Sequence, residues 1–126
     1  MRQTRATAGI ANATYIFWYD QVIANTNGIG TIHSRLYTDS GAGSVVGPGG
    51  YFIRHTASDT LAAVMSNTTV DADTMMTHVG DLFRVDLTGG SQPARVVDQI
   101  TYMDMMTSGA RVVYSRRDGV FITNFQ

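Results

Sequence analysis

The fold is decided by the stretch TYIFWYDQVIANTNGIGTIHSRLY, residues 14–37 of the 126-residue chain. Two runs rich in aromatic and β-branched side chains, which favour strands, flank the dipeptide Asn27-Gly28. Asn-Gly between two such runs is the strongest short-range signal for a β-hairpin, because both residues accept the positive φ angles of a tight turn. The stretch therefore predicts two antiparallel strands joined at Asn27-Gly28.

A two-residue turn at Asn27-Gly28 also determines which residues face each other. The expected cross-strand pairs are Ile23 with Ile32, Asp20 with Arg35, Tyr19 with Leu36, and Trp18 with Tyr37. Each pair of this kind contributes about 0.2–1 kcal/mol. The side chains that this register places on one face, which we assign to the core, are Phe17, Tyr19, Ile23, Ile32 and Leu36.

The C-terminal segment repeats the pattern around Asp118-Gly119, which predicts a second tight hairpin from residues 112–117 and 120–125. The expected pairs are Arg116 with Phe121, Tyr114 with Thr123, and Val112 with Phe125. One face then holds Val112, Tyr114, Phe121 and Phe125, and the opposite face holds Val113, Val120 and Ile122. A hairpin that is apolar on both faces is typical of a sandwich interior or a subunit contact.

Between the hairpins, residues 39–50 hold five glycines and Pro48, which predicts a loop. Within that loop only Val45 and Val46 are expected to pair, and only briefly. Strands are expected at residues 51–55 and 81–87.

Three further segments are less regular. A short helix is expected from a Ser58 cap to Met65, and a second one from an Asp71 cap to His78 with Gly80 beyond it. Pro93 opens the next segment. Residues 96–106 fit neither the helical nor the strand period cleanly, and a strand is favoured over a helix there.

The composition supports a strand-rich chain. All nine basic residues are arginine and all ten acidic residues are aspartate, so lysine and glutamate, which favour exposed helix faces, are absent. We therefore expect an all-β fold: a β-sandwich, a jelly-roll-like body or a barrel, with one or two short helices. Residues 1–12 are expected to form a flexible or extended N-terminal arm, and residues 13–126 a single β-rich domain.

The few charges and their balance also bear on partners. A net charge of −1 gives little repulsion between copies and favours self-association or docking on another protein. Because the arginines are scattered, no nucleic-acid groove is expected. No stretch has the length of a membrane span or a secretion signal, so we expect no membrane partner and synthesis in the cytoplasm.

The sequence offers no standard arrangement for catalysis, for a cofactor or for a metal. The absence of cysteine excludes disulfides and thiolate sites, and the three histidines lie more than twenty residues apart. The side chains Asp71, Asp73, His78 and Asp81 lack the spacing of a calcium loop, and caps or solvent exposure explain the aspartates more simply. We expect no catalytic, cofactor-binding or metal-binding residue and no enzyme activity.

One short motif is an exception. Asp39-Ser40-Gly41-Ala42 resembles the catalytic motif of retroviral-type aspartic proteases, which are small all-β homodimers. That resemblance implies two copies of Asp39 that share a proton across a dimer axis. The chain departs from the family pattern because Thr38 precedes Asp39 and no second hydrophobic-Gly-Arg-Asp/Asn motif follows. The same residues suit the tip of a loop, so the protease is a remote alternative.

As a whole, a small β-rich chain without lysine, glutamate or cysteine and with a polar N-terminal arm resembles virion structural proteins. It resembles especially the decoration or cement proteins that bind bacteriophage capsids. The resemblance implies a non-enzymatic homo-oligomer that clamps a protein shell, located in the virion, with the apolar back of the Asp118-Gly119 hairpin as one contact.

The alternative is a ligand-binding or carbohydrate-binding β-module such as a fibre domain. In that case Trp18, Tyr37 or Tyr51 would stack on sugar rings, provided that these aromatic side chains are exposed.

Overall fold

The computed structural model describes residues 8–11, 14–55, 60–71, 73, 77–88, 92–106 and 111–125. Within these ranges all regular structure is β-strand and no helix occurs. It follows that no helix in the described ranges has the length and apolar character needed to cross a membrane.

The described strands form three antiparallel sheets, each made of strands that are consecutive in the chain. The bounds in chain order are β1 Ala8–Ala11, β2 Tyr15–Asp20, β3 Gly30–Leu36, β4 Ser44–Gly50, β5 Phe52–His55, β6 Leu61–Val70, β7 His78–Asp86, β8 Ala94–Ile100, β9 Tyr102–Met105, β10 Arg111–Arg116 and β11 Gly119–Asn124. We call β1–β4 the first sheet, β5–β8 the middle sheet and β9–β11 the third sheet. None of the three closes on itself, so the described strands do not form the barrel that was one expected alternative.

The middle sheet contributes to two separate cores because strand β6 is buried on both faces. Its side chains are buried without interruption from Leu61 to Ser66. Ala62 and Val64 pack into one cluster, while the alternate residues Ala63 and Met65 pack into another. Period-two alternation therefore sends neighbouring side chains to opposite cores.

Each core joins the middle sheet to one of the other two sheets. The first core consists of Tyr15, Phe17, Ile32 and Val46 from the first sheet with Ile53, Ala62, Val64 and Val85 from the middle sheet. The second core consists of Leu61, Ala63, Met65, Leu82 and Ile100 with Met103, Val112 and Phe125 from the region of the third sheet. The middle sheet is thus covered on both faces.

Both expected short helices are wrong in the described residues. The segment that ends at Met65 lies in strand β6, and His78 begins strand β7. A run such as LAAVM, apolar at every position, has no alternation to mark it as a strand when both of its faces are buried. Ser58 and most of residues 72–76 lie outside the described residues.

The glycine-rich segment also differs from expectation, because residues 44–50 form strand β4 and not a loop. Its glycines allow close packing: a Cβ atom on Gly47 would lie 2.7 Å from Cγ1 of Val64, and one on Gly50 would lie 2.6 Å from Cδ1 of Ile32. Pro48 is tolerated because β4 is the outer strand of the first sheet.

The first hairpin forms as expected, but its register is wrong. Tyr19 pairs with Ile32 and not with Leu36, a shift of four residues, and Asp20 pairs with Thr31. Asn27 and Gly28 do have positive φ angles of 56° and 107°, but they belong to a wider loop. An even shift keeps the strand side chains on their expected face, and Phe17 and Ile32 are buried as expected. The core assignment is wrong for Ile23, which lies exposed in the loop, and for Leu36, which is exposed at the end of β3.

The Thr26 hydroxyl and a distant histidine hold the wider loop, residues 21–29, in place. The Thr26 hydroxyl donates to the carbonyl of Ile23 at 2.6 Å and accepts from the N–H of Ile29 at 3.2 Å. Buried His78 donates from Nε2 to the Thr26 carbonyl at 2.6 Å and stacks on Tyr51, with ring centroids 3.8 Å apart. The loop is therefore attached to the middle sheet.

The C-terminal hairpin is displaced in the same way, by two residues. Tyr114 pairs with Phe121 and Val112 with Thr123, so the two-residue turn is Arg117-Asp118 and not Asp118-Gly119. Again the faces are those expected, with Val112 fully buried and Phe125 nearly so.

The remaining strand predictions are confirmed. Residues 52–55 form β5, residues 78–86 form β7, and residues 96–106 contribute to two strands, β8 and β9, that meet at Thr101. Of the proposed arm, residues 8–11 form strand β1, which pairs with β2, and the other arm residues lie outside the described part.

Candidate interaction surface

The most exposed apolar strand of the described chain is β11, at the outer edge of the third sheet. Val120, Phe121 and Ile122 are 73%, 38% and 58% exposed, although they alternate between the two faces of the strand. On the same face as Val120 and Ile122 lie Val113, which is half-buried, and Tyr102, which is exposed. This strand therefore offers apolar side chains on both faces as well as a free backbone edge.

Other sheet edges in the described residues carry features that oppose pairing with another chain. Strand β4 contains Pro48 and two register shifts against β3. Strand β8 has register shifts against β7 and exposes Arg95 and Asp98. The edge strands β1, β5 and β9 have four residues each. Prolines, irregularities, charges and short length are the usual protections of a sheet edge.

Strand β11 has none of these protections. It pairs with β10 in a continuous register over six residues, and neither a proline nor a charged residue occurs between Gly119 and Asn124. Regular, uncharged and apolar edges of this kind readily accept another strand.

The geometry of the β10–β11 turn shows which backbone groups of β11 point outward. Arg116 and Gly119 flank a two-residue loop, and residues in this position exchange hydrogen bonds with each other. Because bonded and non-bonded pairs alternate along an antiparallel ladder, Tyr114 and Phe121 also form a bonded pair. The N–H and C=O groups of Val120 and Ile122 therefore point to the free edge.

Two arginines attach the β10–β11 turn to the middle sheet. Nη2 of Arg117 lies 2.5 Å from Oδ2 of Asp71, whose side chain is 9% exposed. Arg116 donates to the Asp98 carbonyl from Nε and Nη2, at 3.0 and 2.8 Å, and also to the Asp98 carboxylate. The Arg117–Asp71 pair lines an open cleft of about 470 Å³, and the Arg116–Asp98 contacts line a smaller neighbouring cleft of about 220 Å³.

Asp81 is a structural residue that the sequence did not reveal. Its Oδ1 accepts from the backbone N–H of Gln99 at 3.2 Å, and its Oδ2 accepts from the side-chain amide of Asn67 at 3.4 Å. Asn67 and Gln99 have positive φ angles, 52° and 55°, and lie at irregularities of β6 and β8. Asp81 thus stabilises two bulges, one on each side of β7.

We expect the substitution Asp81→Ala to lower the free energy of unfolding by about 1–2 kcal/mol, because it removes a carboxylate that accepts two hydrogen bonds. Urea denaturation of a dilute sample measures this change. The control Asp118→Ala alters an exposed turn residue and should stay within about 0.5 kcal/mol of the wild type. Equal stability of the two variants would contradict the role of Asp81.

The side chains Asp71, Asp73, His78 and Asp81 do not converge on a cation site, although the N–H of Asp73 donates to Oδ1 of Asp71 at 2.9 Å. His78 points to Thr26, Asp71 pairs with Arg117, and Asp81 holds the bulges. Among the described residues, no group of three acidic or histidine side chains converges on a point.

The three aromatic side chains considered for sugar stacking lie in different surroundings. Trp18 is half-buried on the outer face of the first sheet and stacks on His33, with ring centroids 5.2 Å apart. His33 also forms a hydrogen bond of 2.8 Å between its Nε2 and Oδ1 of Asp20. Tyr51 is half-buried against His78, whereas Tyr37 is 70% exposed.

Asp39 lies in an exposed turn after strand β3. Its Oδ1 accepts a hydrogen bond of 3.2 Å from the N–H of Gly41, and its own N–H donates to the Leu36 carbonyl at 3.1 Å. This is the local hydrogen bonding with which aspartate stabilises a turn.

Comparison with known proteins gives no match: no family model fits the chain, and neither a curated protein nor a solved structure matches it at a significant level.

Proposed function

We propose that this protein is a non-enzymatic structural protein that adds to a larger protein assembly. Within that class, the role we assign is the decoration or cementing of a bacteriophage capsid, so that the protein resides in the virion after synthesis in the host cytoplasm. The observation that carries the proposal is strand β11, with exposed Val120, Phe121 and Ile122 on a free and unprotected edge.

The physical support is the free energy gained when such a surface is covered. Removing apolar surface from water stabilises a complex by about 25 cal/mol per Å², before the costs of association. The chain also has few charges and a net charge of −1, so copies placed close together on a lattice repel one another only weakly. Other copies of the chain and a protein shell are therefore the partners that we propose, and not nucleic acid or a membrane.

As part of this proposal, the three sheets stack as a sandwich-like body. The support is the middle sheet, whose alternate side chains enter two cores, one shared with each neighbouring sheet. A body of this kind is rigid, and a rigid body places its edge strand accurately against a partner without a large loss of conformational entropy.

The assembly role is tested by sedimentation of a lysate from cells that produce the protein naturally. In these cells the chain carries an affinity tag. We expect the tagged chain in fast-sedimenting fractions that contain protein shells visible by negative-stain electron microscopy. A chain that stays entirely in the low-mass fractions, under conditions where shells form, would contradict the proposal.

A second candidate function is carbohydrate binding, which the 70% exposure of Tyr37 favours. In that case the wild type binds members of a glycan array and Tyr37→Ala loses at least about tenfold in affinity, because stacking on an aromatic ring is removed. Tyr114→Ala is not a suitable control, because Tyr114 packs against the second core. Val45→Ala, at a site that is 52% exposed, serves instead and should bind like the wild type. An array on which the wild type binds nothing would remove this candidate.

A further inference from the structure

We propose that two copies of this chain pair through strand β11, antiparallel and about a twofold axis, so that their third sheets form one continuous sheet. The proposal rests on the proposed assembly function, and it specifies the contact between copies. Two three-stranded sheets joined in this way would have six strands, which is a common size for a stable sheet.

The outward backbone groups of β11 suit a second copy of the same strand. Val120 and Ile122 direct their N–H and C=O groups to the free edge. A twofold axis perpendicular to the sheet places even-numbered residues opposite even-numbered residues of the second copy, and odd-numbered opposite odd-numbered. The hydrogen-bonded pairs across the new seam therefore join even-numbered residues, with Val120 and Ile122 among them. A slip of one residue would turn the apolar side chains to the wrong faces.

One register matches the exposed apolar side chains with one another. With the axis at Phe121, Val120 faces Ile122 of the second copy, and the two Phe121 side chains face each other. With the axis at Ile122, Val120 would face Asn124 and Phe121 would face Thr123. Apolar and aromatic pairs directly opposite each other stabilise a ladder more than mixed pairs do, so the axis at Phe121 is favoured.

Charge complementarity at both ends of the seam supports the same register. With the axis at Phe121, Asp118, in the turn that precedes β11, lies at the end of the seam where β11 of the second copy ends at Asn124, and Asn124 is paired with Arg111 in its own sheet. Asp118 and Arg111 of the two copies are then two strands apart, about 10 Å between Cα atoms, within reach of an arginine side chain and an aspartate side chain. Both residues are exposed, and neither forms an ion pair with another residue in the described ranges.

Sedimentation equilibrium of the purified full chain over a range of concentrations tests this pairing. We expect the mass to rise from 13.7 kDa towards twice that value as the concentration increases. The double substitution Val120→Lys with Ile122→Lys places like charges opposite each other at two points of the seam. We expect it to weaken the dimer at least about tenfold.

A second double substitution distinguishes strand pairing from non-specific hydrophobic association. Val120→Lys with Ile122→Glu removes the same apolar surface but places opposite charges across the seam, so that we expect dimers at concentrations where the double-lysine variant is monomeric. The exposed residue Val45, on the protected edge strand β4, gives the control Val45→Lys, for which we expect the wild-type mass. Far-ultraviolet circular dichroism identifies variants that fail to fold.

Three outcomes would overturn the pairing: a wild type that is monomeric at all concentrations, a dimer that the double-lysine variant leaves unchanged, or equal weakening by both double variants. These outcomes are separable from a failure of the proposed function. A monomer that still sediments with protein shells contradicts only the pairing, whereas a dimer that never joins a shell contradicts only the assembly role.

Discussion

The substitution Gly47→Ala is expected to lower the free energy of unfolding by about 1–3 kcal/mol, even though it adds only one methyl group. That methyl group would lie 2.7 Å from Cγ1 of Val64 and 3.3 Å from Cβ of Ile32. Both neighbours are fully buried β-branched side chains with little freedom to move. The first sheet would have to separate from the middle sheet to make room.

The matched control for this prediction is Gly41→Ala, in the exposed turn before β4. A Cβ atom there would be in ordinary contact, 3.7 Å from Oδ1 of Asp39, so we expect a change within about 0.5 kcal/mol. Urea denaturation measures both variants. If Gly47→Ala is as stable as Gly41→Ala, then β4 does not pack closely on the middle sheet.

The substitutions Val64→Ala and Met65→Ala are both expected to destabilise the protein strongly. Both side chains are 0% exposed, although they are adjacent in β6 and point to opposite faces. Truncating a buried methionine to alanine costs about 2–5 kcal/mol, and truncating a buried valine costs on the order of 2 kcal/mol. In a sheet covered on one face, one of these two substitutions would have little effect.

The control for this pair is Met106→Ala, because Met106 is 40% exposed. We expect it to cost less than about 1 kcal/mol, measured by the same denaturation experiment. A neutral result for either Val64→Ala or Met65→Ala would contradict the account of the middle sheet, because it would mean that one core is absent.

The sequence predicts the faces of the two hairpins better than their registers. Asn27-Gly28 and Asp118-Gly119 identify two turns, and the alternation of apolar residues places Phe17 and Val112 in the core. The loop at residues 21–29 is wider than the local signal implies, because the Thr26 hydroxyl and the distant His78 stabilise it. Contacts between residues far apart in the chain do not appear in a local pattern.

The helix expected to end at Met65 and the loop expected at residues 44–50 are both strands in the structure, for reasons that concern packing. Strand β6 is apolar at successive positions because a hydrophobic core lies on each of its faces. A strand buried on both faces shows no alternation of apolar and polar residues, so its sequence does not distinguish it from a buried helix. Glycine-rich β4 looks like a loop because glycine weakens strands, yet at Gly47 the missing side chain permits close contact with Val64.

The candidate surface could be predicted in part. The alternation in residues 112–125 indicates an apolar face that includes Val120 and Ile122, and the structure exposes both side chains. The position of β11 at the outer edge of its sheet follows from the order of the strands in that sheet, which the sequence pattern does not give. The sequence pattern therefore indicates a hairpin with apolar side chains on both faces, but it does not indicate that β11 lies at the edge of its sheet.

The most direct test of whether this edge is a site of assembly is amide hydrogen exchange in β11. Nuclear magnetic resonance measures the exchange rates at two protein concentrations. Phe121, bonded to β10, serves as the internal reference, while the amides of Val120 and Ile122 point to the free edge. We predict that these two amides exchange at least about tenfold more slowly in a concentrated sample than in a dilute one, with little change at Phe121. Exchange at Val120 and Ile122 that is equally fast at both concentrations would contradict the account.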